Sequence, residues 1–96
     1  MTEESFVMPI NGILDLHTFR PREVRDLIPD YLAECSRLGI SQVRIIHGKG
    51  KGEMRRLVHS LLARNELVRQ FGPAPENAGG WGATLVDLKD IKAEGG

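Results

Sequence analysis

The sequence predicts a small mixed α/β domain in which two helices cover one face of a four-stranded sheet. Two segments carry apolar residues at helical spacing, and short apolar runs stand before, between and after them. The resulting order, β-α-β-α-β-β, matches a layered fold rather than a helix bundle or an all-β sandwich. A chain of 96 residues leaves room for one core, and the expected domain spans residues 10–92 between tails at 1–9 and 93–96.

The first strand candidate is Ile13 to Leu16, interrupted by Asp15. Arg20 to Leu38 follows as a helix, because Val24, Leu27, Ile28, Tyr31, Leu32, Cys35 and Leu38 form one stripe. Pro21 suits its first turn and Gly39 its stop. Pro29 lies opposite the stripe and removes one backbone hydrogen bond, at a cost of about 3 kcal/mol. The stripe continues in phase through it, so the helix is kept, with a bend expected there. Val43 to Ile46 is the second strand and residues 48–52 are a loop. Glu53 to Arg64 is the second helix, burying Met54, Leu57, Val58, Leu61 and Leu62. Leu67 to Phe71 is the third strand, GPAPENAGGWG a long loop, and Ala83 to Leu88 the fourth strand.

Composition narrows the class of function. Lys and Arg number 13, as do Asp and Glu, so net charge is zero at neutral pH. The distribution is uneven. Arg44, Lys49, Lys51, Arg55 and Arg56 cluster within thirteen residues with only Glu53 against them. The single Cys35 excludes an internal disulfide framework and fits a cytoplasmic protein. The acidic MTEESFVMP segment is no secretory signal, and no apolar run is long enough to span a membrane.

The chemistry gathers at one sheet edge. A helical crossover makes the first two strands parallel, so LDLH (14–17) and IIHGKG (45–50) end on the same side. The fourth strand, antiparallel to the third, brings GGWGAT (79–84) to that edge. Open α/β sheets bind ligands at the carboxyl ends of their strands. Asp15 and His17 are two apart and share a face, while Leu14 and Leu16 face the helices. His47 closes the second strand beside the glycine loop. Gly48 and Gly50 allow close approach and let amides turn toward an anion, and the helix that follows adds its positive end. Lys49, Lys51 and Arg55 add full charges, so a phosphate is the expected tenant. Trp81 is placed either to stack on a base or to plug the end of the core. His59 falls on the polar side of its helix and is expected to be solvated, whereas Cys35 belongs to the core. The loop is not a Walker sequence, since Gly48 and Gly52 are one residue too close and Glu53 replaces the lysine. It also lacks the dinucleotide-binding glycine pattern.

LDLH, VRIIHGKG and GGWGATLVDL, in this order across residues 10 to 89, resemble the Smr (small MutS-related) domain. The resemblance implies a two-layer α/β sandwich like the carboxyl domain of bacterial translation initiation factor three. Its sheet order would be 1-2-4-3, with the last strand antiparallel. Members of that family occur alone or attached to MutS-like and RNA-binding proteins, and several nick DNA or cleave RNA. The resemblance therefore implies that Asp15, His17, His47, Gly48 and Gly50 belong to a nucleic-acid site, with Lys49 touching phosphate. Thr18 departs from the pattern, standing where many members have glycine.

Endonuclease activity on DNA or structured RNA is the leading expectation. Of the catalytic candidates Asp15, His17 and His47, a histidine would act as general base or acid, and Asp15 would orient His17 or hold a divalent metal such as Mg or Mn. A two-metal site wants several carboxylates and only Asp15 is well placed, so no preformed metal cage is expected. Lys49 and loop amides would stabilise charge on the phosphate. The competing expectation is a non-catalytic module that binds nucleic acid through its phosphates. A protein-interaction role for the Trp81 loop has no specific feature behind it.

Overall fold

A computed structural model describes residues 10–50 and 52–89; the expected tails and Lys51 lie outside the described residues. Six main elements follow in order: β1 (Ile13–Asp15), α1 (Pro21–Arg37), β2 (Gln42–Ile46), α2 (Glu53–Arg64), β3 (Val68–Pro73) and β4 (Ala83–Leu88). The sheet order is β1-β2-β4-β3. β1 and β2 are parallel, and β4 runs antiparallel to both β2 and β3. Fold class and strand order are those the sequence and the resemblance predict.

α1 begins where Pro21 needs no amide partner, and the Glu23 carboxylate accepts the Arg20 backbone N–H at 2.7 Å. It ends at Gly39, whose φ of +81° lets the Gly39 and Ile40 amides fold back onto Ser36 and Cys35 carbonyls. The helix runs unbroken through Pro29. Its stripe fills the core with Val24, Ile28, Tyr31, Leu32 and Cys35, but Leu38 is 49% exposed because it lies beyond the last turn. On α2 only Val58 and Leu62 are fully buried; Met54, Leu57 and Leu61 pack half-covered at its flank. Leu14, Leu16, Val43, Ile45, Val86 and Leu88 supply the sheet side of the same core. The opposite face, with Ile13, Gln42 and Gln70, is open.

The sheet margins differ from expectation in small ways. β1 has three residues, although the Leu16 N–H still bonds the Ile46 carbonyl at 2.9 Å. β3 starts one residue later than expected and includes Gly72 and Pro73, which pair with Leu85 and Thr84. Proline is tolerated because β3 is an edge strand, and a register shift between Val68 and Gln70 kinks the same strand. Tyr31 ties the other edge down. Its hydroxyl accepts the Gly12 N–H at 3.1 Å and donates to the Ile13 carbonyl at 3.2 Å, fixing β1 to α1.

Candidate functional site

The carboxyl ends of β1 and β2 and the start of β4 meet at one edge. Asp15 pairs with Ile46, Ile46 pairs with Ala83, and the His47 and Gly48 amides both bond the Gly82 carbonyl, at 3.0 and 2.8 Å. Three segments distant in sequence thus form one rim, as the strand directions require.

Asp15 and His17 form a dyad on that rim. His17 Nδ1 lies 2.9 Å from Asp15 Oδ1, and the same oxygen accepts the His17 backbone N–H at 3.0 Å. These bonds, the backbone one first, hold the Asp15 carboxyl below its ordinary pKa, so it is ionised at neutral pH. An ionised carboxylate accepts only, so Nδ1 carries a proton and Nε2 is the basic nitrogen. Leu14 and Leu16, buried on the other face, anchor the strand that presents the pair. Among the described residues nothing bonds His17 Nε2, and the side chain is 76% exposed. Thr18 sits in the turn closed by the Phe19 N–H on the Leu16 carbonyl. No non-glycine residue among those described has a positive φ, so the turn dispenses with the left-handed residue a type II turn needs.

Beside the dyad's edge, a cleft of about 280 Å³ opens between His47, the glycines at 48, 50 and 52, and residues 53–55 of α2. No side chain caps α2 at Gly52, so the helix directs first-turn amides and its positive end into this cleft. The Gly48 amide itself is committed to Gly82. Contrary to expectation, Gly48 serves through its φ of +89°, which turns the chain, rather than as an amide donor. Lys49 lies across the GGWG segment. A Cβ at Gly82 would stand 2.8 Å from Lys49 Cγ, so glycine there makes room for the lysine stem. The Arg55 guanidinium sits 4.8 Å from the centre of the Trp81 ring, and Trp81 is 50% exposed. Trp81 is therefore a surface platform, not a core plug.

His59 corrects the expectation of a solvated histidine. His47 Nε2 and His59 Nε2 both reach the buried Thr84 Oγ1, at 2.8 and 2.9 Å. The His59 ring also packs at 5.1 Å against Phe71 of β3. Burial pushes both histidines below their ordinary pKa; the Gly48 carbonyl partly opposes this at His47, and Arg55 reinforces it at both. No local pattern marks this arrangement. It depends on the β2–β4 register, which sets Thr84 opposite Ile45 and so beside His47.

Among the described residues, no three His, Cys, Asp or Glu side chains converge as a metal cage. Asp15 brings a single carboxylate, with one oxygen already engaged twice by His17. Among the described residues, the donor set does not fit a resident two-metal centre.

Fold and rim define the class: a two-layer α/β domain with its polar groups at the ends of parallel strands. The family model for the Smr domain matches residues 14–89, and the chain belongs to that family. Endonuclease MutS2 of Streptococcus mutans is 42% identical over 76 residues, covering 79% of this chain and 10% of the relative. The Levilactobacillus brevis MutS2 is 39% identical over 80 residues, covering 83% of this chain and 10% of its own length. The chain thus spans about a tenth of the length of these curated relatives. The crystal structure of the Smr domain of Thermus thermophilus MutS2 superposes with a TM-score of 0.78 at 34% identity, covering 82% of this chain and 99% of that one. YdaL, a stand-alone small MutS-related protein from Escherichia coli, gives 0.76 at 27% identity, covering 81% and 64%. No helix among the described residues is long and apolar enough to cross a membrane.

Proposed function

We propose that the rim binds the phosphodiester backbone of single-stranded or locally unpaired RNA and cleaves it. The observation that carries this reading is the Asp15–His17 dyad, whose Nε2 is open on the same edge as the cleft at the start of α2. His17 takes the proton of a ribose 2′-hydroxyl. The 2′-oxygen bonds to phosphorus as the bond from phosphorus to the 5′-oxygen breaks, and the departing oxygen takes a proton from solvent. Lys49, Arg55 and the first-turn amides of α2 hold the phosphate and oppose its growing charge. His47 supports the loop that shapes the cleft. Trp81 offers an exposed ring to an unpaired base, which favours single strands over stacked duplex. The MutS2 relatives are named endonucleases, which agrees with backbone cleavage.

The test is incubation of the protein with single-stranded RNA, stem-loop RNA and supercoiled plasmid, with and without EDTA. The expected products are RNA fragments with 2′,3′-cyclic phosphate and 5′-hydroxyl ends, formed in EDTA, with the plasmid intact. Plasmid nicking, or loss of RNA cleavage in EDTA, overturns this mechanism. Binding without cleavage of any substrate selects the non-catalytic module, which the cleft supports independently of the dyad.

The cationic contacts have their own signature. The double substitution Lys49→Ala, Arg55→Ala is expected to reduce the log–log salt slope of single-stranded RNA binding by up to about 1.4, at roughly 0.7 per phosphate. A slope equal to that of the unaltered protein removes both side chains from the interface.

A further inference from the structure

We infer that His59 is a positioning residue for His47, acting through the Thr84 hydroxyl to fix which His47 nitrogen carries the proton. This rests on the reading of the Gly48 loop as part of the binding rim.

With both imidazoles neutral, the bonds admit one consistent direction. The Gly48 carbonyl can only accept, so His47 Nδ1, 3.2 Å away, carries a hydrogen and donates it. His47 Nε2 is then an acceptor, and Thr84 Oγ1 donates its proton across 2.8 Å. The Thr84 oxygen in turn accepts from His59 Nε2–H at 2.9 Å. The chain runs from His59 through Thr84 and His47 to the Gly48 carbonyl. Its outer end fastens the residue whose φ of +89° turns the glycine loop.

The same chain decides where a proton can enter. Placed on His59 Nδ1, it leaves every bond intact. Placed on His47 Nε2, it reverses the chain: the buried Thr84 hydroxyl must turn its hydrogen to His59 Nε2, and His59 must carry its own on Nδ1. The ring centroids are 6.1 Å apart, so two charges there also repel. Around the pair, α2 contributes Arg55, with Glu53 lining the same cleft as His47, while β3 presents the Phe71 ring and β4 the Thr84 hydroxyl. A proton on His59 needs no such reversal, so the chain favours a neutral His47 with its hydrogen on Nδ1.

Long-range nitrogen NMR of the free, unaltered protein tests this without any variant. His47 is expected as the Nδ1–H tautomer and His59 as the Nε2–H tautomer near neutral pH. His47 with its hydrogen on Nε2 overturns the inference. Thr84→Val should relax the His47 tautomer ratio by about two- to tenfold, whereas Thr84→Ser should retain it. His59→Leu should raise the pH at which His47 protonates. His59→Gln, whose amide N–H can still occupy the Thr84 oxygen, should preserve the tautomer. A His47 titration and tautomer indifferent to His59→Leu and Thr84→Val overturn the inference as well. These measurements use no nucleic acid. Absence of RNA retention with the tautomers as expected therefore sinks the binding reading and not this one.

Discussion

Replacing His17 with alanine is expected to lower the RNA cleavage rate by about 10²–10⁴-fold, the range a positioned general base contributes. The side chain is 76% exposed and its one partner is Asp15, so its removal opens no cavity. The thermal midpoint and RNA retention should hold while turnover falls. Asp15→Asn should cost less rate, because an amide oxygen can still receive Nδ1–H although the charge is gone. Asp15 also sets a limit on the pH profile. Its folded pKa lies below the ordinary 3.8, so whatever the carboxylate contributes is present above that value and is lost only as pH falls through the lower folded one. A His17→Ala protein that cleaves RNA at the original rate places the chemistry elsewhere.

Leu14→Ala is expected to destabilise the fold by about 2–5 kcal/mol, the usual cost of emptying a buried leucine site. At about 4–8 °C per kcal/mol for a domain of this size, the loss should be plain in a melting curve. Leu14 is 1% exposed and is the inward residue of a strand only three residues long. Its loss should loosen β1 before the rest of the sheet. Hydrogen exchange offers a direct check, because the Leu16 amide bonds Ile46 and the Arg44 amide bonds Gly12 across this strand pair. Both should exchange faster than amides linking β2 to β4, and the Asp15–His17 dyad should lose its register with them. An unchanged midpoint would mean that β1 draws its hold from Tyr31 instead.

The two helices and the parallel β1–β2 unit were legible because their signals are local. The bounds of α2 and β4 coincide with the apolar periodicity, and each starts directly after a glycine, Gly52 and Gly82. Asp15 and His17 were legible for the same reason: Leu14 and Leu16 are buried in alternation with them and leave both exposed, although His17 itself stands in the turn after β1. What escaped depends on contacts between segments far apart in sequence. His59 sits on the polar side of its helix by spacing alone. Only the β2–β4 register brings Thr84 under it. The glycines of GGWG read as loop residues, yet Gly82 is small because the Lys49 stem crosses it. Pro73 reads as a loop residue, but an outer strand accepts it without loss of a ladder bond.

The margins of the sheet carry a consequence for the company this domain can keep. One border offers a three-residue strand and the other a kinked strand closed by proline, so neither gives a long flat template for a foreign strand. Copies crowded together, or joined in tandem to larger neighbours, have little opportunity to zip into extended fibrils through their borders.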